Sequence, residues 1–482
     1  MLRWIKLKRK LSLAIDVGTS NVKFLVANEK FEQVYFNSVS YKVENEDKFI
    51  KEIDPLVWKK ILIEELKKIF EYNFSKNITN ICATAQMHTT LFLDKNGKAI
   101  RKAIMWDDKR NYNKVSQIKD ELLKKCNKLH EANIVANGNP LVNLLWVKDR
   151  EKDKYNCIHK ICFVKDYINM VLTGKIATDY SDASTSGLFN LEKKNWDKDI
   201  IRYYDINEQI LPEIKKSDDL VGLLSKEIKD ELGIKNKIEI LAGMADNAAT
   251  FYAIKKLKNS DVAISLGTSA VLIRCIDYLN NKGKNIVLLT NTEEYLCNQS
   301  TVATSGSAID WWNKIIKSSK FLTIKEIEAE KLYENDTIFL PYLSGEKYIL
   351  KNSNMKGAFL GLTRQTSRED FLLAVLEGIS FAIKLLSDSY KDKNISEIVL
   401  VGGGSKNDLW TKIIASVMNN NIIKFNIDLM SVHGAALLAL KSNKSLEFNN
   451  IKYKCIKPDK NLYIHYYKKY EIFKKYIKLL NI

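Results

Sequence analysis

The chain has 482 residues, 46% of them hydrophobic, and carries 76 Lys and Arg against 58 Asp and Glu, a formal net charge of +18. That length exceeds what one core serves, so two or three domains are expected, and no apolar run reaches the roughly 18 residues that cross a membrane. The lysines are spread among Asp and Glu along the whole chain, the pattern of solvated helix faces rather than of a nucleic-acid surface. Seven cysteines without paired spacing read as reduced thiols, and Cys157, His159 and Cys162 match no standard zinc pattern. The basic start (Arg3, Lys6, Lys8, Arg9, Lys10) precedes an apolar run broken at Asp16. That is too short for a signal peptide, so a cytoplasmic protein is expected.

In chain order, Leu11 to Val26 sets two apolar, β-prone runs around Asp16-Val17-Gly18-Thr19-Ser20, which predicts a tight hairpin. Gly18 lets a ligand approach the backbone, and Thr19 and Ser20 supply donors, so the turn suits phosphate oxygens. Asp16 adds an acceptor-only carboxylate suited to hydrated Mg²⁺. Taken alone, the turn reads as well as an ordinary hairpin with a polar tip. Asp54-Pro55 opens a helix with Trp58, Leu62, Leu66 and Phe70 on one face. A strand from Ile78 to Thr84 delivers Gln86-Met87-His88 at its carboxyl end, where open α/β sheets place ligand groups. Asn96-Gly97 predicts a turn, and Trp106 opens a W-x-D-x-R cluster.

From Asn111 to Ile238 the period is mostly helical. It is interrupted by Thr178 to Asn190 (TDYSDASTSGLFN), whose Ser, Asp and Gly read as a solvated loop or as part of a site. A strand ending at Leu241 runs into Ala245-Asp246-Asn247, where Asp246 reads as a helix cap or as a catalytic carboxylate. The first hairpin pattern then recurs at Asp261 to Cys275 (DVAISLGTSAVLIRC), so the chain reads as two related halves. Ser367 is an expected cap for a helix through Leu386, with Leu372, Val375, Ile379, Ile383 and Leu386 as its buried stripe. A strand over Ile398 to Val401 meets Gly402-Gly403-Gly404, and a helix starts at Asp408, a ready site for a phosphate or nucleobase. Pro458 to Leu480 reads as an amphipathic helix docked on the second half.

Ten motifs now stand in order: DVGTS (Asp16), QMH (Gln86), W-x-D-x-R (Trp106), YSDAS (Tyr180), ADNAA (Ala245), SLGTS (Ser265), LPYLSGE (Leu340), GAFLGLT (Gly357), LEGI (Leu376) and VGGGSKN (Val401). Together they resemble the FGGY family of carbohydrate kinases over nearly the whole chain, and within it the branch that phosphorylates xylulose. The resemblance implies an α/β fold of two ribonuclease-H-like (actin-like ATPase) domains flanking a catalytic cleft, divided as 1–254 and 255–482. It implies transfer of the ATP γ-phosphoryl to a hydroxyl of a ketopentose, D-xylulose ahead of gluconate or another sugar or polyol. A non-catalytic nucleotide-binding sensor is the alternative from another class.

Site roles follow from the same resemblance. Asp246 would be the general base, and Asp16 and Asp246 would hold Mg²⁺, the implied cofactor. Gln86, Met87, His88, Asp246 and Asn247 would bind the sugar. Gly18, Thr19, Ser20, Lys23, Gly267 and Thr268 would hold the ATP phosphates. Gly306, Asp310, Gly402, Gly403 and Asn407 would line the adenosine side. The implied partners are ATP and a small sugar, without nucleic acid or membrane, and a homodimer is compatible. Three departures bear on which sugar is used: Thr89 and Thr90 after Met-His, Lys347-Tyr348-Ile349 after Gly-Glu, and Asn143 where a lysine is common.

Overall fold

The computed structural model of the chain describes residues 10–43, 47, 49–276, 286–290, 295–316, 329–346, 349–350, 352, 354–390, 395, 397–427, 431–440 and 451–480. Arg3, Lys6, Lys8, Arg9, Lys347 and Tyr348 lie outside these residues. Two compact units emerge. One comprises Met1–Leu257, Ile276–Cys297 and Met430–Asn450, and the other Lys258–Cys275, Asn298–Leu429 and Ile451–Ile482. This is more than a single cut at 254/255, because two later segments return to the first unit.

The first unit is built on a mixed sheet whose central strand, β1 (Leu11–Val17), is buried at all seven residues. Such a strand is covered on both faces, which is why it reads as one apolar run rather than as an alternation. β1 turns antiparallel into β2 (Asn21–Asn28), which pairs with β3 (Gln33–Ser40). Helix α1 (Pro55–Glu71) starts on Asp54, whose Oδ1 accepts from the Leu56 N–H at 2.9 Å. Trp58, Leu62 and Leu66 are buried as expected, but Ile69 takes the next place and Phe70 is half-buried. A strict spacing of four drifts off a 3.6-residue turn.

β4 (Ile78–Ala85) lies parallel to β1 on its other side. Helix α2 (Val164–Thr173) and the single turn α3 (Tyr180–Ser184) follow. The sheet is completed by β5 (Leu220–Leu223) and by β6 (Glu239–Ala245), which runs parallel to β4 and straight into α4 (Asp246–Lys258). The spatial order is β5-β6-β4-β1-β2-β3. One further helix, Ser431–Leu440, packs on β1 and β4, and its residues Val432 to Leu440 are all buried. A helix apolar on every side needs cover on every side, which draws this late segment back to the first sheet. The solvated-loop reading of Thr178 to Asn190 is corrected here. From Thr178 to Ser186 every residue but Tyr180 is buried, because its polar groups pair with one another and with Lys165.

The second unit repeats the pattern. β7 (Val262–Leu266) turns antiparallel into β8 (Ala270–Cys275), and helices α5 (Gly306–Ile316) and α6 (Arg368–Asp388) follow. β9 (Glu397–Val401) lies parallel to β7, α7 (Asp408–Met418) leads to β10 (Asn421–Phe425) parallel to β9, and β11 (Tyr453–Ile456) closes antiparallel. The strand order β8-β7-β9-β10-β11 matches β2-β1-β4-β6-β5 of the first unit in its sequence of antiparallel and parallel pairings. Ser367 and Asp370 form the capping box of α6, whose expected stripe is buried throughout. The last helix, α8 (Lys460–Leu480), buries Leu462, Tyr466, Tyr470, Phe473 and Ile477 in the same core. Its Lys469 Nζ reaches Glu377 of α6 at 2.5 Å. Among the described residues no helix is long and apolar enough to cross a membrane.

Candidate active site

In the first unit the parallel strands β1, β4 and β6 end side by side, and the candidate residues gather there. The hairpin turn is closed by the Gly18 N–H donating to Asn21 O at 2.9 Å, and the Tyr41 hydroxyl donates to the Gly18 carbonyl. The Trp106 indole Nε1 donates to Thr19 Oγ1 at 3.1 Å, which joins the W-x-D-x-R cluster to the phosphate-type turn. Asp16, 2% exposed, accepts at Oδ2 from Lys23 Nζ at 3.0 Å and from Ser431 Oγ at 2.8 Å. Its Oδ1 is buried without a protein partner. Lys23 is therefore engaged with Asp16 rather than pointing freely at a ligand.

Asp246 is the first residue of α4, and its Oδ1 accepts from the Asn247 N–H at 2.7 Å. Burial and then the neighbouring Asp16 carboxylate push its pKa up to about 7, while that N–H and Lys23 pull it down. The buried carboxylate of Asp246, whose proton affinity Asp16 raises, and Asp16 with its orphaned oxygen form a donor set that a divalent cation would relieve. The Asn247 side-chain amide meets Met87 Sδ at 3.6 Å, which brings the Q-M-H segment to Asp246. Gln86 is buried at the end of β4 with both amide atoms unpartnered. Such buried orphans are costly unless a ligand or water completes them.

His88 sits in the left-handed region (φ +68), strain that a histidine in a ligand pocket can carry. Its Nε2 is buried without a partner, and burial lowers its pKa to about 4. The imidazole is thus neutral at neutral pH and free to exchange one hydrogen bond with a hydroxyl. Unfolding restores an ordinary affinity for the proton, near 6.5. Stability is therefore intact above about pH 6.5 and falls as the pH drops towards about 4, by on the order of 3 kcal/mol from this group. Urea unfolding at about pH 7 and about pH 4.5 should show His88→Gln losing less stability between the two than the parent. Equal losses would refute it.

The second unit assembles the other predicted residues at the ends of β7 and β9. The Gly267 N–H donates to Ser269 O at 2.9 Å, and Thr268 O accepts from the Ser305 N–H at 2.9 Å and from Ser307 Oγ at 2.9 Å. Gly306 opens α5 so close to this turn that a Cβ there would lie 2.8 Å from Gly267 O. Asp310 lies one turn further along α5, exposed. Gly402 (φ +87) packs on β7, where a Cβ would stand 2.6 Å from Leu266 O, and Gly403 next to it meets open space. Asn407 caps α7, its Oδ1 accepting from the Trp410 N–H at 2.8 Å, so that oxygen is already committed.

Three contributors were not found in the sequence reading. Ser431 bonds Asp16 from 415 residues away. Tyr41 braces the Gly18 turn, and Gly434 lets the Ser431–Leu440 helix touch α4, where a Cβ would lie 1.9 Å from Ala249 O. The local signal is the small-and-apolar run from Gly434 to Leu440.

A hairpin-led sheet occurring twice, each copy with a Gly-Thr-Ser turn, and a buried acid pair beside one of them are the arrangement of the α/β actin-like ATPase fold. Residues 11–252 match the N-terminal domain, and residues 262–442 the C-terminal domain, of the FGGY family of carbohydrate kinases. The chain belongs to that family. It is 32% identical to the xylulose kinase of Staphylococcus xylosus over 438 residues, 89% of this chain and 90% of that one. A crystal structure of a xyloylose kinase from Brucella ovis covers 98% of this chain and 99% of its own, with 25% identity and a TM-score of 0.85. A gluconate kinase from Lactobacillus acidophilus superposes as well, with a TM-score of 0.87, 22% identity, and coverage of 98% and 99%. That last match speaks for the fold alone.

Proposed function

We propose that this carbohydrate kinase transfers the γ-phosphoryl of MgATP to a hydroxyl of a ketopentose, D-xylulose first, giving D-xylulose 5-phosphate. The observation that carries the reading is Met87 against Asn247, beside Asp246, where the ends of β4 and β6 meet. It offers an apolar wall for sugar carbons, a neutral imidazole for a hydroxyl and a carboxylate for the departing proton. The 32% identical xylulose kinase of Staphylococcus xylosus favours the same sugar. Asp246 acts as general base. Asp16 and Asp246 would hold hydrated Mg²⁺, which supplies charge neutralisation for the phosphates. Gly18, Thr19, Ser20 and Lys23 in the first unit, and Gly267 and Thr268 in the second, take the phosphates. Gly306, Asp310, Gly402, Gly403 and Asn407 serve the adenosine. Seven free cysteines fit a reducing, ATP-rich cytoplasm.

The test is ADP release with MgATP and a panel of xylulose, ribulose, gluconate and glycerol. Xylulose should give the highest kcat/KM. If gluconate exceeds it, the ketopentose assignment is wrong and gluconate takes its place. ADP release indifferent to every sugar would instead point to a sensor.

A further inference from the structure

The end of β6 is anchored well beyond what a strand end requires. Its register on β4 shifts between Leu241 and Met244, and at Gly243 (φ +76) a Cβ would lie 1.9 Å from Ala83 O. Two residues of this bulge, and Ala245 just after it, find partners outside the sheet. The Ala242 N–H donates to Asp219 O at 2.9 Å, and its carbonyl accepts from Asn169 Nδ2 at 2.9 Å. The Gly243 N–H donates to Ser217 O at 2.8 Å. Finally the Ala245 N–H donates to Ser181 Oγ at 2.8 Å, one residue before Asp246.

Ser181 is itself fixed from below. Its hydroxyl donates to Asp179 Oδ2 at 2.7 Å, which also accepts from Ser217 Oγ at 2.8 Å. Asp179 Oδ1 pairs with Lys165 Nζ at 3.0 Å, and that ammonium also meets Asp166 at 2.5 Å and Asp182 at 3.1 Å. No member of this charged group is more than 3% exposed. Burial and the crowding of carboxylates keep a proton on Asp182 up to about pH 8, while the three acids hold the Lys165 ammonium charged. Asp179 thus has both carboxylate oxygens occupied, Oδ2 by Ser181 and Ser217 and Oδ1 by Lys165.

We propose that Ser181 is a positioning residue for phosphoryl transfer: held by Asp179 and Lys165, it takes the last backbone N–H before Asp246 and so sets where α4 begins and where that carboxylate points. The inference rests on Asp246 being the general base. Ser181→Ala leaves the Ala245 N–H buried and unpaired, and the strand end must shift to find another acceptor. A base displaced by a fraction of an ångström loses turnover more than binding.

With MgATP and the best sugar of the panel, Ser181→Ala should lower kcat roughly tenfold or more and leave both KM values within about twofold. Ser181→Cys, close in volume but a weak acceptor, should also fall below the parent. Parental kcat in Ser181→Ala overturns the proposal. If Ser181→Ala does not fold, parental kcat in Ser181→Cys overturns it equally. A loss spread over kcat and both KM values, with a matching drop in melting temperature, assigns Ser181 to general stability and also overturns it. Asp246→Asn measured alongside separates the two readings. If that variant keeps its turnover, the general-base reading fails. If it is inactive while Ser181→Ala turns over normally, only the positioning role fails.

Discussion

Asp246→Asn should lower kcat by about 10²–10⁴-fold while the protein stays folded and binds ATP. As the phosphorus–oxygen bond forms, the attacking sugar hydroxyl must give up its proton, and a neutral amide cannot accept it. The structure explains why the fold should survive. The carboxylate's one short partner is the Asn247 N–H at 2.7 Å, which an amide oxygen can accept equally. Asparagine also serves helix starts about as well as aspartate. Removing a charge beside Asp16 even relieves a repulsion. Steady-state turnover and nucleotide binding by calorimetry, measured on the purified variant, decide the matter. A folded Asp246→Asn protein with most of its turnover would end the general-base assignment.

The second large effect is on stability. Lys165→Met should cost about 3–5 kcal/mol, because it leaves Asp166, Asp179 and Asp182 buried without their shared cation. Against a typical total of about 5–15 kcal/mol that is about a fifth or more of the stability. The methionine fills nearly the same volume, so the loss measures charge rather than a cavity. Adding Asp166→Asn to Lys165→Met should recover part of it, since the carboxylate nearest the lost ammonium is then no longer stranded. Denaturant melts of both variants test this, and a single variant within about 0.5 kcal/mol of the parent would contradict it.

How much of the site could be read beforehand depends on how locally each residue is specified. The Gly18-Thr19-Ser20 and Gly267-Thr268 turns, the Met87-His88 pair and Asp246 all sit at strand ends where a few adjacent residues carry both geometry and chemistry. Their sequence signals are correspondingly compact. Thr178 to Asn190 is ambiguous in sequence because its hydroxyls and carboxylates resemble those of an exposed loop. Nothing within that stretch reveals that Lys165, a residue of α2, is the buried counter-ion. Ser431 was invisible for a similar reason, since its acceptor is 415 residues earlier. Asn407 shows the converse. A glycine-rich strand-to-helix turn suggests ligand contacts, yet its carboxamide oxygen is spent on capping α7. Pattern identifies the turn, but not how each polar atom in it is used.

The burial of Ser431–Leu440 against β1 and β4 bears on the order of events during synthesis. The first sheet is encoded almost entirely by the opening half of the gene, and its hairpin emerges from the ribosome early. Yet the helix that covers β1, and the hydroxyl that completes the shell of Asp16, are among the later residues translated. Until they arrive, the nascent sheet carries an uncovered apolar face and its acidic centre lacks a donor, conditions that invite chaperone capture or wrong pairing. A polypeptide stopped at Leu257 would hold every residue assigned to the sugar, but could not adopt the arrangement that uses them. The shell of Asp16 is thus completed only once a segment translated long after the sheet itself has folded back onto it.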